Sequence, residues 1–146
     1  MQIIEHTTEF HLAGASAVAI GKFDGVHLGH CELLVKIIEQ KQQNYLATVF
    51  TFDTSATAFF GGEEKELTSK AEKRKIFAEM GIDVLIEFPL NSQTAATEPE
   101  AFVREYLADR MNAAYICAGY DLSFGKNGAG NYALLEKCAK QCGYRT

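Results

Sequence analysis

The chain reads Gly21-Lys22-Phe23-Asp24-Gly25-Val26-His27-Leu28-Gly29-His30 between an apolar run and a segment of helical periodicity. The apolar run, residues 15–23, is typical of a buried strand. From residue 29 to about residue 42, apolar side chains repeat with the period of a helix that covers a core with one face. A strand, a glycine-rich turn and a helix in this order predict one α/β unit.

Strand and helix patterns alternate along the rest of the chain. Residues 45–52, 82–88 and 114–118 are rich in apolar, β-branched or aromatic side chains and predict three more strands. Helices are predicted at residues 69–80, from residue 97 to about residue 111, and at residues 131–141. Two capping boxes and two closing glycines mark their ends: Ser69-x-x-Glu72, Thr97-x-x-Glu100, Gly81 and Gly143. Strict alternation predicts the α/β class, with a Rossmann-like, doubly wound parallel sheet and helices on both faces.

Length and composition limit the class of protein. A chain of 146 residues corresponds to one domain, residues 1–146. Fourteen basic and nineteen acidic residues give a net charge of −5, which argues against nucleic acid or an anionic membrane as the main partner. Apolar stretches such as residues 17–20 are too short to cross a bilayer, and residues 1–5 lack the features of a signal peptide. We therefore expect a cytoplasmic protein.

The cysteines do not form a metal-binding pattern. They stand at positions 31, 117, 138 and 142 without a CxxC pair, and the four histidines lie within residues 6–30. A protein-bound metal is therefore not expected. Cys138 and Cys142 share a helical face with Leu134 and Leu135, which favours buried small apolar side chains; a reactive thiol is the alternative.

The glycine-rich turn has the chemistry of an anion site. It lies where a parallel strand ends and a helix begins, with unpaired N–H groups and the positive end of the helix dipole. His27 and His30, three residues apart, would project to the same side, donate hydrogen bonds to phosphate oxygens and stabilise charge in a transition state. Gly29 lets a flat ring approach the backbone. The alternative is two solvent-facing histidines in a turn.

The turn resembles the His-x-Gly-His signature of the nucleotidyltransferase superfamily. Further segments, in the same order, are similar to the FMN adenylyltransferase domain of bacterial FAD synthetases, the bifunctional riboflavin kinase/FAD synthetase family. They are Thr51-Phe52-Asp53, Leu67-Thr68, Gly81-Ile82-Asp83, Phe102-Val103 and Gly119-Tyr120-Asp121-Leu122-Ser123-Phe124-Gly125-Lys126 with Gly128, Ala129 and Gly130. The resemblance covers essentially the whole chain, and its first and last segments are the specific ones.

The resemblance implies an enzyme that transfers AMP from ATP to FMN and releases FAD and pyrophosphate, with Mg²⁺ accompanying ATP. It implies that His27 and His30 are the catalytic residues at the ATP phosphates. The implied nucleotide-binding residues are Gly21, Phe23, Asp24, Gly29 and Asp121. The implied flavin-binding residues are Asp24, Asp121, Phe124 and Gly125. Two alternatives stay open: Asp121 as a turn cap and Phe124 as a core residue. Lys126 is not a phosphate-loop lysine, since the glycine spacing is wrong and Asn127 replaces Ser or Thr.

The chain departs from the family pattern in three places. The stretch after Asp53 lacks the usual proline, and Cys31 stands where glutamine is common. The chain also ends before the family's next strand, its Ser-Ser-Thr-x-Ile-Arg segment and the riboflavin kinase domain. We therefore expect a C-terminally truncated domain with residues 114–118 as an exposed edge, open to dimerisation, with weak catalysis and no kinase activity. The alternative functions are transfer to another phosphorylated acceptor, such as phosphopantetheine or glycerol phosphate, and a crippled flavin- or nucleotide-binding module.

Overall fold

The computed structural model describes residues 1–21, 23, 28–53, 70–119 and 122–146. The strands are β1 (Gln2–Glu5), β2 (Ser16–Ile20), β3 (Leu46–Phe52), β4 (Val84–Phe88) and β5 (Ala113–Ala118). The α-helices are α1 (Leu28–Glu39), α2 (Lys70–Met80), α3 (Ser92–Ala95), α4 (Pro99–Phe102) and α5 (Tyr132–Cys142). A π-helix, Val103–Arg110, continues α4, and short 3₁₀ helices span Gln40–Gln43 and Lys126–Gly128.

The described strands form one parallel sheet in the order β1-β4-β3-β2-β5. Chain order runs outward from β2 to β3 and β4 on one side and to β5 on the other, so the sheet has its switch point between β2 and β5. The predicted parallel sheet is confirmed. All five positions of β2 and of β4 are buried, as expected of strands covered on both faces.

Two apolar layers cover the sheet, one on each face. Val18 and Ile20 of β2 face a layer that contains Phe102, Leu107 and Leu135 from the second half of the chain. The alternate residues of β2, Ala17 and Ala19, face the other layer. That layer holds Leu34 and Ile37 of α1 and Phe77 of α2. The doubly wound arrangement is therefore confirmed, because consecutive β-strand residues point to opposite faces.

The N-terminal strand β1 was not predicted. It has four residues, of which only Ile3 and Ile4 are apolar, and its burial pattern is half-exposed. So short a run carries no periodic signal, and β1 exists because it pairs in register with β4, from Gln2 opposite Val84 to Glu5 opposite Glu87. The sequence analysis was wrong in counting four strands.

The capping box predicted at Thr97 is wrong. The N-cap of α4 is Glu98, with ψ of 137° and no side-chain cap. The physical reason is Pro99, which disfavours helical backbone in the residue before it and so prevents Glu98 from being the first helical residue. The capping box of this region instead lies upstream, where Asn91 and Thr94 exchange side-chain and backbone hydrogen bonds at α3. The box predicted at Ser69 lies outside the described residues.

The other helix ends agree closely with the sequence. Gly81 closes α2 with a φ of 95°, Asn131 caps α5 by accepting from the N–H of Leu134, and Gly143 ends α5 in the left-handed region. Leu135 and Cys138 are buried, as predicted for the inner face of α5. The first helix is shorter than predicted: it ends at Glu39, and the chain continues as the 3₁₀ turn closed by Asn44.

The outer strand β5 is partly covered by the end of the chain. Arg145 pairs with Tyr115 in parallel: its N–H donates to Ala114 at 2.9 Å, and its carbonyl accepts from Ile116 at 2.8 Å. The expected edge is therefore protected at one position. Dimerisation through the remainder of β5 stays a prediction.

Candidate active site

The glycine-rich segment follows the carboxyl end of β2, a strand that borders the switch point. The N–H of Gly21 donates to the carbonyl of Phe50 at 3.1 Å, so the exit of β2 is tied to β3. Helix α1 begins at Leu28, and Gly29 and His30 lie in its first turn. A strand that ends at Ile20 and a helix that begins at Leu28 are in the order that an anion site requires. Asp24 and His27 lie outside the described residues.

Phe23 anchors this turn in the core. Its ring is fully buried and packs edge-on against Phe77 of α2, with centroids 5.7 Å apart. Its φ of 54° places a bulky residue in the left-handed region, which is costly and recurs at functional sites. A Cβ on Gly21 would lie 3.0 Å from the Phe23 ring, so glycine fits this close approach. The nucleotide contacts assigned to both residues stay predictions.

The second predicted loop leaves the carboxyl end of β5, next to β2. Phe124 and Gly130 pair across it: Phe124 donates to Gly130 at 3.1 Å, and Gly130 donates back at 2.8 Å. The Phe124 side chain is 3% exposed and packs on Phe102, with centroids 5.2 Å apart. The structure therefore puts the ring in the core, the alternative left open by its sequence. Asp121 lies outside the described residues.

Gly125 fastens this loop to the start of α4. Its φ is 75°, and a Cβ there would lie 3.0 Å from the Cα and Cγ of Pro99. Beside this contact, the N–H of Lys126 donates to the carbonyl of Thr97 at 2.7 Å. Two independent contacts therefore hold the loop against residues 97–99.

An aromatic cluster supports the carboxyl edge of the sheet between these loops. Its members come from β3, β4, α4, the π-helix and the 122–130 loop: Phe50, Phe52, Phe88, Phe102, Tyr106 and Phe124. Phe52 ends β3 only half-buried, with its ring centroid 6.4 Å from that of Phe102. Edge-on and offset contacts of this kind favour a rigid apolar wall. Phe52 and Phe102 belong to segments that resemble the family, but nothing in the sequence alone indicates that their rings lie together.

Asp53 ties the carboxyl ends of β3 and β4 together. Its N–H donates to the carbonyl of Phe88 at 2.9 Å, and its Oδ1 accepts from the N–H of Leu90 at 3.0 Å. The Asp53 side chain, which directly follows β3, therefore sets the direction in which the chain leaves the sheet after β4. In the sequence, Asp53 stands out only as part of the segment Thr51-Phe52-Asp53, and no role for it follows from that segment.

A polar cleft of about 380 Å³ opens over the ends of β1 and β4. It is lined by residues that follow β1, residues that follow β4 and one residue of the π-helix: His6, Thr7, Thr8, Pro89, Asn91, Gln93, Thr94, Thr97 and Tyr106. The Arg110 guanidinium lies 4.7 Å from the Tyr106 ring centroid and donates to the carbonyl of Thr8. The cleft thus adjoins the aromatic cluster through Tyr106.

The described cysteines behave as apolar side chains. Cys117, Cys138 and Cys142 are free thiols, and burial raises the pKa of each, that of Cys117 to about 12. A high pKa keeps a thiol protonated and poorly nucleophilic. Within the described residues, no three His, Cys, Asp or Glu side chains converge as a metal site. In the same part of the chain, no helix has the length and apolar character needed to cross a membrane.

A parallel sheet with helices on both faces and a switch point between β2 and β5 define a doubly wound α/β domain. A crystal structure described as a macrolide-efflux protein from Streptococcus pneumoniae shares this fold: the TM-score is 0.79 at 25% identity, over 92% of this chain and 45% of that one. The sequence matches the FAD synthetase family over residues 10–146. The chain belongs to the FAD synthetase family.

Two curated relatives are similar over most of the chain. A bifunctional riboflavin kinase/FMN adenylyltransferase of Buchnera aphidicola is 32% identical over an alignment of 133 residues, and the match covers 89% of this chain and 43% of that protein. An FAD synthetase of Listeria monocytogenes is 33% identical over an alignment of 129 residues, and the match covers 86% of this chain and 52% of that protein. The chain thus spans about half the length of these relatives.

Replacing Gly130 by alanine should destabilise the fold and disturb the second loop. A Cβ there would overlap the Phe124 ring, which has no room to move between Gly130 and Phe102. Overpacking of this kind costs about 1–3 kcal/mol, measurable by urea unfolding. Gly14→Ala is the matched control, because its Cβ would meet only Leu46 at an ordinary 3.6 Å. Equal stability of the two variants would contradict the proposed packing of Phe124.

Proposed function

We propose that this domain, residues 1–146, transfers AMP from ATP to FMN and forms FAD and pyrophosphate. The observation that carries the proposal is the position of the two predicted loops. The loop with the His-x-Gly-His turn leaves β2 and the loop with Phe124 leaves β5, and these strands are neighbours in the sheet. Adjacent parallel strands lie about 4.8 Å apart, so their carboxyl-end loops can serve one shared site.

The reaction needs little covalent chemistry from the protein. A phosphate oxygen of FMN would attack the α-phosphorus of ATP, the bond from that phosphorus to the bridging oxygen would break, and pyrophosphate would leave. Orientation and charge stabilisation supply most of the catalysis in transfers of this type. The N-terminus of α1, with His27 and His30, is the proposed source of that stabilisation.

The acceptor would rest against the aromatic cluster. The isoalloxazine ring of FMN is flat and largely apolar, and pockets for such ligands are lined mainly by aromatic and apolar side chains. Phe52 offers a half-exposed ring at the edge of the site, with Phe102 and Phe124 behind it. Gly125, in the same loop as Phe124, is the proposed point of close backbone approach.

Mg²⁺ enters the proposal as the companion of ATP. This ion is commonly held by one or two carboxylates together with substrate phosphates. The phosphates of ATP would supply most of its ligands. The chemistry it supplies when bound is neutralisation of the polyphosphate charge.

We further propose a cytoplasmic location and no nucleic-acid partner. Cys117, Cys138 and Cys142 carry free thiols, as is usual in a reducing compartment. The net charge of −5 offers little attraction to a polyanion.

Incubation of the protein with ATP, Mg²⁺ and FMN, followed by chromatography for FAD, tests the proposal. FAD and pyrophosphate should appear in equal amounts, and riboflavin in place of FMN should give no FAD because it lacks the attacking phosphate. Absence of FAD at millimolar ATP and FMN would refute transfer by this form.

A further inference from the structure

We infer that Asp53 is a positioning residue for the FMN-binding loop, an inference that rests on the proposed function. Asp53 is the first residue after β3 and directly follows Phe52 of the aromatic cluster. It reaches the loop at residues 122–130 through the chain that follows β4. Each link of this connection is a hydrogen bond or packing contact.

The first link is between Asp53 and Leu90. The carboxylate accepts the Leu90 N–H at 3.0 Å, while the Asp53 N–H donates to Phe88 at 2.9 Å. The pair of bonds therefore sets where the chain turns after β4.

The second link is the turn of α3, which begins immediately afterwards. Asn91 accepts from the N–H groups of Gln93 and Thr94 at 3.0 Å, and the Thr94 hydroxyl donates to the carbonyl of Pro89 at 2.7 Å. The N–H of Thr97 then donates to the carbonyl of Thr94 at 3.2 Å. Residues 89–97 thus form a closed unit, and an altered direction at Leu90 would move the whole unit.

The third link joins this unit to the proposed FMN-binding loop, residues 122–130. The Thr97 carbonyl accepts from Lys126 at 2.7 Å, and Pro99 packs against Gly125. Asp53 thereby acts on Gly125 through other residues. Its removal should weaken FMN binding and leave the ATP end of the site, on β2 and α1, largely unaffected.

Two substitutions separate the position of the acceptor oxygen from its charge. Asp53→Asn keeps an acceptor oxygen in place and loses the charge, whereas Asp53→Glu keeps the charge and moves the carboxylate by one C–C bond, about 1.5 Å. We expect Asp53→Asn to retain the KM for FMN. We expect Asp53→Glu and Asp53→Ala to raise it about tenfold, the scale of leaving one backbone donor without its acceptor, with the KM for ATP nearly unchanged.

The matched control lies at the opposite edge of the sheet. The Asp83 carboxylate accepts the N–H of Ala47 at 2.9 Å, the same kind of bond at the amino ends of β3 and β4. Asp83→Ala should lower the melting temperature and leave the KM for FMN unchanged. If Asp53→Ala fails to fold, Asp53→Glu and Asp53→Asn carry the comparison.

The experiment measures the KM for FMN and for ATP in FAD formation, and the Kd for FMN by flavin fluorescence, for the wild type and all variants. A rise in the FMN constants for Asp53→Glu, without one for Asp53→Asn, supports the inference. Equal constants in both variants, or the reverse order, overturn it. If the wild type binds FMN without forming FAD, only the proposed transfer is refuted, and the Kd values for FMN then decide the role of Asp53. If the wild type does not bind FMN, the proposed transfer and the inference on Asp53 are both overturned.

Discussion

Replacing His27 or His30 by alanine should lower the rate of FAD formation by about 10²–10³-fold, the effect of losing one donor that stabilises charge in a transition state. The reason is positional. His30 lies in the first turn of α1, and His27 directly precedes that helix, so both belong to the proposed anion site. The Kd for FMN should change little, because this end of the site is assigned to the triphosphate.

His11→Ala is the control for this experiment. The His11 side chain is 64% exposed and lies 3.9 Å from Asp109, away from the carboxyl end of β2. Turnover should stay at the wild-type level. If either His27→Ala or His30→Ala also kept wild-type turnover, the transition-state role would have to be withdrawn for that residue.

The second large effect is expected for Arg74→Met, which should destabilise the fold by about 3–5 kcal/mol, the cost of leaving a buried charge without its partner. Arg74 of α2 donates to both carboxylate oxygens of Glu87, at 2.5 and 3.1 Å, and to Glu5 at 2.6 Å. Glu87 is only 4% exposed. The hydrogen bond to Glu87 raises the pKa of Arg74, and that from Arg74 lowers the pKa of Glu5.

Lys41→Met provides the comparison, measured by urea unfolding under the same conditions. Lys41 pairs with Asp83 at 3.3 Å, and both side chains are partly exposed. Pairs of that kind contribute about 0–1 kcal/mol. If the two substitutions cost the same, the Glu87 carboxylate is not held by Arg74 in solution.

Arg74 also explains how β1 can join the sheet. Glu5 and Glu87 lie directly opposite each other on β1 and β4, an arrangement in which like charges repel. Arg74 binds both carboxylates from α2. The short N-terminal strand therefore depends on a residue about seventy positions away in the chain, which no local pattern could indicate.

Four strands could be predicted because their apolar runs have a local cause. Strands β2 and β4 are buried at every position. A strand that is buried on both faces of a parallel sheet needs consecutive apolar residues, and such a run is visible in the sequence. The turn after β2 was equally visible, since glycines and histidines between a strand and a helix have few other interpretations. Pro99 could also have located the start of α4, had its effect on Glu98 been given more weight than the capping box.

The amino-acid sequence by itself determined the α/β class, the alternation of elements, the inner face of α5 and the turn that carries His27 and His30. These features depend on neighbours within a few residues, where periodicity and backbone preference act. Only the tertiary structure decided that β1 pairs with β4, that the Phe124 ring lies in the core, and that Asp53 holds Leu90. Those contacts join segments that are distant in the chain. They stabilise the fold only once the sheet has brought the segments together.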